Sequence, residues 1–200
     1  SILQNISGVF SVSQTLSVSE HPIKIVSGDW DRDADSDLAV LLRDSTLVQV
    51  WLNGGTGSFS KQSTTYTVGS LPVSMISGDW NCDGNQDLAV SNSGNSTLSL
   101  IYGKGTGDFD IPVTISSGRG PGTLAAADFD NDNKMDFVVG HNFLVTTSGA
   151  SLLTGDFSLT LSDATSSTGY ASPTSFAATL SKDGASPASF VISDVDNDSK

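Results

Sequence analysis

The chain has 200 residues and a formal net charge of −13, with nine Lys and Arg against 22 Asp and Glu. That balance denies nucleic acid the basic footprint it needs, so nucleic acid is excluded as a partner. The length suffices for one domain with a real core, and no apolar run approaches the roughly 18 residues of a membrane span, so no membrane insertion is expected.

In chain order, residues 1–20 alternate around a glycine-marked turn, ISGVFS, and the first of four related acidic phrases follows. SGDWDRDADSDLAV begins at Ser27, SGDWNCDGNQDLAV at Ser77, AAADFDNDNKMDFVV at Ala125 and SDVDNDSK at Ser193. Asp29 and Asp79 lie 50 residues apart and Asp79 and Asp128 49, with a longer gap to Asp194. Such a period marks stacked or radial repeats, each too small to bury its own apolar face. The four phrases hold 15 of the 22 acidic residues, so the acidity is clustered at an interval, which favours cation sites over a diffuse acidic surface. Three divalent ions would move the charge from −13 to −7. Cys82, inside the second phrase, is the only cysteine and cannot form an internal disulfide.

Between the phrases the pattern is that of short strands. After Asp87, LAV is a compact apolar run, TLSLIYG and FDIPVTIS alternate, and LAAAD leads into the next phrase. No helical period of useful length is present. Four antiparallel strands per repeat with Gly-marked turns is the sequence form of a β-propeller blade, so the predicted class is all-β. The residue after the first acidic one, Trp30, Trp80, Phe129 or Val195, is expected to pack between strands. LNGGTGSFS (52–60) and YGKGTGDFD (102–110) occupy equivalent places, as do ISGVFS and LLTGDFS from Leu152; their glycines suit turns, and Phe10, Phe59, Phe109 and Phe157 are expected to plug the blade interior. No Lys-Ser/Thr pair follows these glycines, which sets a phosphate loop aside.

The DxDxD…DL loops, the period near fifty and the GxGxF turns together resemble the FG-GAP or VCBS repeats of integrin-α-type β-propellers, over almost the whole chain. The resemblance implies a ring of about seven blades. In that register 1–20 ends a preceding blade; 21–69, 70–119 and 120–186 are blades, the last with an insertion at about 162–184; and 187–200 starts another. The parent chain is expected to continue on both sides. The Ser/Thr/Ala-rich insertion reads as a surface excursion, or as a partner-contacting hairpin using Tyr170 and Phe176.

Calcium takes six to eight oxygen ligands. A tight loop offering oxygens at positions 1, 3, 5, 7 and 9 wraps one ion. In the first loop these are Asp29, Asp31, Asp33, the Asp35 carbonyl and Asp37; in the second, Asp79, Asn81, Asp83, the Asn85 carbonyl and Asp87. The third offers Asp128, Asp130, Asp132, the Lys134 carbonyl and Asp136; the truncated fourth, Asp194, Asp196, Asp198 and the Lys200 carbonyl. Position six needs a sharp turn, which suits Gly84 and Asn133, while Ala34 departs from the preference and predicts strain. An EF-hand would want Glu at position 12, where Val40, Val90 and Val139 stand. Zinc would want His or Cys, and His21 and His141 lie outside the loops. A set of acidic turns capped by their own backbone is the alternative, since Asp and Asn form Asx turns readily.

Extracellular calcium modules bind at about 10⁻⁴–10⁻³ M, so such sites fill where calcium is plentiful and a secreted or cell-surface location is expected. N-x-Ser/Thr triplets at Asn5, Asn95 and Asn197 are compatible with that. Neither histidine lies in a recognisable catalytic phrase, and ion-bound carboxylates are poor general acids, so no enzymatic activity is expected. Three functions remain: an adhesion or binding module for an extracellular protein or glycan, a structural unit of a self-associating surface assembly, and an accessory propeller of a larger secreted carbohydrate- or lipid-active enzyme.

Overall fold

A computed structural model describes residues 1–128, 133–147, 150–160 and 174–176. The described chain is all-β, with strands β1 (Ile2–Ile6), β2 (Val9–Gln14), β3 (Pro22–Gly28), β4 (Asp37–Leu42), β5 (Leu47–Asn53), β6 (Phe59–Thr67), β7 (Pro72–Gly78), β8 (Asp87–Asn92), β9 (Thr97–Ile101), β10 (Val113–Ser116), β11 (Pro121–Ala127), β12 (Asp136–Thr147), β13 (Ala150–Thr160) and β14 (Thr174–Phe176). After the two-stranded β1–β2 hairpin come three four-stranded antiparallel sheets, β3–β6, β7–β10 and β11–β14, each in simple sequence order. The four-strand repeat of the sequence is thus the unit of the fold.

The sheets pack face to face, which explains why LAV is a continuous apolar run and not an alternating one. A strand covered on both faces buries every side chain. In β4, Ala39 and Leu41 face the core shared with the second sheet, where Val48, Val50, Tyr66, Met75, Leu88, Val90 and Phe109 also pack. Val40 and Leu42 point to the opposite face and are covered, with Trp51, by Leu16 and Val18 of the segment entering β3. In β8, Leu88 and Val90 serve the first seam while Ala89 joins Leu98, Leu100, Ile115, Leu124, Phe137 and Val139 at the second. The first strands of successive sheets, β3, β7 and β11, lie against one another, and the loops that follow them meet at the same end, Gln86 reaching Asp29 and Cys82 Sγ lying 3.8 Å from the Asn133 carbonyl.

Both loop tryptophans are buried at these seams. Trp30 stands 6.0 Å from the Phe109 ring of the next sheet, and Trp80 lies edge-on to Phe137 at 5.0 Å. Phe129 and Val195, expected to pack likewise, fall outside the described residues.

Two expectations drawn from the glycine turns fail. Phe10 does not plug a sheet: it is 65% exposed on β2, opposite Asn5. ISGVFS has one glycine, so the chain reverses in two residues, Ser7 (φ 53°) and Gly8 (φ 87°), and Phe10 is left on the strand itself. Phe109, by contrast, follows two positive-φ glycines, Gly105 and Gly107, that fold the chain back, and it is buried; Phe59, placed alike, is half-buried. LLTGDFS is not a turn either. With a single glycine it continues as part of β13, Gly155 pairing with Asn142 of β12. The third repeat therefore carries a long β12–β13 hairpin that its sequence did not reveal. Of the predicted insertion, Thr174–Phe176 form β14 against β13, and the remainder lies outside the described residues.

Candidate metal centres

Each of the first three acidic loops starts where the first strand of a sheet ends and stops where the second begins. The first runs from Gly28, the last residue of β3, to Asp37, the first of β4. It turns through left-handed backbone at Arg32 (φ 64°) and Ala34 (φ 72°), and the second loop does so at Cys82 (φ 60°) and Gly84 (φ 82°). These turns aim the sixth residue's N–H back at the first carboxylate. Ala34 N–H donates to Asp29 Oδ2 (3.1 Å), Gly84 N–H to Asp79 Oδ2 (2.9 Å) and Asn133 N–H to Asp128 Oδ2 (2.9 Å).

The ninth-position aspartate has a second role that spacing alone did not show. Asp37 is buried and accepts from Trp30 N–H (2.9 Å) and Asn53 N–H (2.8 Å). Asp87, equally buried, accepts from Trp80 N–H (2.8 Å) and Gly103 N–H (2.7 Å). One carboxylate thereby ties the loop to the end of the sheet's third strand. Its only sequence signal is its place, immediately before the apolar run, in each full phrase.

In the first loop Asp29, Asp31 and Asp37 each bring an oxygen within 4.8 Å of the others, a spacing that one cation can bridge. Asp33 is not in that group; its Oδ1 accepts from Asp35 N–H (2.9 Å), as Asp83 Oδ1 does from Asn85 N–H (2.7 Å). The Asp35 carboxylate lies over the β5–β6 turn, where a Cβ on Gly55 would stand 2.9 Å from its Oδ2. In the second loop Asn81 Oδ1 accepts from Asp83 N–H (3.1 Å) and its amide donates to Asp83 Oδ2 (3.0 Å). Asp128, Lys134 and Asp136 of the third loop are described, Asp136 buried. Asp130 and Asp132, and all of Asp194, Asp196, Asp198 and Lys200, lie outside the described residues.

Crowding is legible in the proton affinities. Burial raises the Asp37 carboxyl above the ordinary range, against the N–H groups of Asn53 and Trp30, and Asp33 and Asp29 push it further. Burial likewise raises Asp31, with Asp37 and Asp33 adding to it. Asp87 is pushed up to about 6, chiefly by burial, with Asp83 and Asp79 contributing. Asp83 is instead lowered, first by the Asn85 N–H. Buried carboxylates that raise one another's pKa lack a counter-charge.

The donor set fits a hard divalent cation. It is made of carboxylates, amide oxygens and main-chain carbonyls with no nitrogen or sulfur ligand, which suits calcium and not zinc. Asp29 Oδ1 is buried with no hydrogen-bond partner among the described residues, as an ion ligand would be; Asn85 Oδ1, also unpartnered, lies instead over the β9–β10 turn, where a Cβ on Gly105 would stand 2.4 Å from it. The histidines stand apart: His21 Nδ1 pairs with Asp44 on the surface, and buried His141 meets the Arg119 carbonyl (2.9 Å).

No curated protein matches the chain. A family model described as an FG-GAP-like repeat does, at residues 29–90 and again at 79–139. Each matched stretch runs from the first aspartate of one acidic loop, across the next loop, into the second strand of the following sheet, in step with the repeat the sheets display. The two matches span more than half of the sequence, and the chain belongs to the FG-GAP-like repeat family.

Proposed function

We propose that the chain is part of a calcium-stabilised β-propeller and serves as a non-catalytic adhesion or binding module of a secreted or cell-surface protein. The observation that carries this reading is the repeated clasp of a first-position carboxylate by a sixth-position N–H in three loops, with Asp29 Oδ1 left buried and unpaired. An Asx-turn network would use all its buried oxygens internally; a cation cage leaves some for the ion. Asp29, Asp31, Asp33, Asp37 and the Asp35 carbonyl hold the first ion. The second and third loops do the same with their corresponding residues, and the truncated fourth offers Asp194, Asp196, Asp198 and the Lys200 carbonyl.

Calcium supplies the positive charge that the crowded carboxylates lack, and so fixes the link between the first and second strands of each sheet. The face-to-face packing of successive sheets and the approach of β3, β7 and β11 support a propeller, whose ring places another sheet against the exposed Leu3, Phe10 and Val12. Loops gathered at one end of a rigid stack are where such modules meet a ligand, here an extracellular protein or glycan.

The test is binding of the purified chain to a glycan array and to extracellular-matrix proteins, in calcium and in chelator. Saturable binding that chelation abolishes supports the module. Concentration-dependent self-assembly with no ligand would instead make it a structural unit, and a catalytic domain in the parent chain would make it an accessory propeller.

A further inference from the structure

The seams between sheets are built differently at the level of the acidic loops. At the first seam, Asp29 N–H donates to Oε1 of Gln86 (3.3 Å), the eighth residue of the second loop. That amide lies against Gly28, where a Cβ would stand 2.2 Å from Oε1, so glycine at 28 makes room for it. A second link runs between the same sheets. Gly107 N–H donates to the Trp30 carbonyl (2.8 Å), and the turn carrying Gly107 is anchored by Gly103 N–H on Asp87 Oδ1 (2.7 Å).

At the second seam the eighth residue of the third loop is Met135, which packs on the apolar core between the second and third sheets. The place corresponding to the Gln86 amide is a cleft of about 470 Å³ bounded by Gly78, Asp79, Trp80, Ala125 and Met135. A thioether is at best a weak acceptor, so Met135 cannot do for Asp79 what Gln86 does for Asp29.

We propose that Gln86 is a positioning residue of the first cation site, contributed by the neighbouring sheet, and that it couples the filling of the first site to that of the second. This rests on the calcium reading above. Gln86 is flanked by Asn85 and Asp87, the seventh and ninth positions of its own loop. Closing the second loop on an ion therefore fixes the backbone on both sides of Gln86 and holds its amide beneath Asp29, the first ligand of the neighbouring site. Asp29 then has less freedom to lose when its own ion arrives, and the coupling is reciprocal. Between the second and third loops the described contact is Cys82 Sγ, 3.8 Å from the Asn133 carbonyl, which reaches no first-position carboxylate.

The loops carry their own reporters, because the amides of Ala34, Gly84 and Asn133 each donate to the first carboxylate of their own loop. Titrating the full chain with calcium chloride while following these three amides by ¹H–¹⁵N NMR resolves the sites. In Gln86→Met the midpoint at Ala34 weakens about 10-fold, the size expected when a residue orienting a metal ligand is lost, while Asn133 is unmoved. Asp83→Ala, which disables the second site, weakens the Ala34 midpoint in the native background and has no further effect in Gln86→Met. Met135→Gln tightens the response at Gly84. An unchanged Ala34 midpoint in folded Gln86→Met overturns the proposal; should that variant not fold, Met135→Gln decides, and an unchanged Gly84 midpoint overturns it. If none of the three amides of the native chain responds to millimolar calcium, the cation reading itself falls and the coupling with it, whereas three native responses with an unmoved Gln86→Met remove the coupling alone.

Discussion

Ala34 holds a backbone conformation that a Cβ disfavours. Its φ of 72° matches those of Gly84 (82°) and Asn133 (64°) at the same loop position, and those two residue types tolerate left-handed backbone. Ala34→Gly is expected to stabilise the chain by about 1 kcal/mol, raising the melting temperature by a few degrees, because relief of the Cβ contact exceeds the added chain entropy. Gly28→Ala acts in the opposite direction, since its Cβ would meet Gln86 Oε1 at 2.2 Å and Trp30 Cε2 at 2.8 Å. Aligning the phrases made Ala34 legible as the odd residue. Gln86 was not legible: its partner lies 57 residues away, and position eight reads Ser36, Gln86 and Met135, a set with no common chemistry. The loops also predict a pH dependence without calcium. Asp87 at about 6 binds its proton more tightly folded than unfolded, so its favourable contribution is complete below the ordinary Asp value near 4 and is lost as pH rises through about 6. Asp31 and Asp37 act in the same direction and Asp83 in the other. In chelator the melting temperature should therefore fall between pH 5 and pH 7, and calcium should remove the fall; parallel profiles with and without calcium would contradict this.

At the scale of strands and turns, the seams carry the stability. Phe109 enters the first seam from the β9–β10 turn, packing edge-on to Tyr66 at 5.2 Å and against Trp30, while its N–H donates to Tyr66 Oη (3.0 Å). Phe109→Ala should cost about 3 kcal/mol, seen as a lower urea midpoint with little change in slope. Phe10→Ala, at an exposed ring, should change the midpoint of the isolated chain little. The same GxF phrase thus has opposite consequences in two places. What separates them is the turn ahead of the phenylalanine, two residues between Ile6 and Val9 but five between Gly103 and Phe109, and the neighbouring sheet that the Phe109 ring meets. The strands themselves were readable because each central strand is covered on both faces, so LAV announces burial whatever its neighbours. The long β12–β13 hairpin was not readable: Gly155 in a strand and a glycine in a turn look alike in sequence, and pairing with Asn142 decides between them.

For the molecule as a whole, the acidic charge is the central fact. A chain with net charge −13 that, among its described residues, crowds ten carboxylates into three neighbouring loops folds against its own repulsion unless cations join it. A site with Kd of about 10⁻⁴ M contributes about 1.4 kcal/mol at 1 mM calcium, so three sites together should raise the melting temperature by about 10 °C, reversibly with chelator. Magnesium at the same concentration should do much less, since it favours octahedral sites with few protein ligands. The most direct measurement is equilibrium dialysis of the full chain against radioactive calcium at millimolar concentration. The account predicts at least three ions bound per chain, falling by one in Asp29→Ala and by one in Asp79→Ala. No bound calcium, or binding that these substitutions leave untouched, would contradict it.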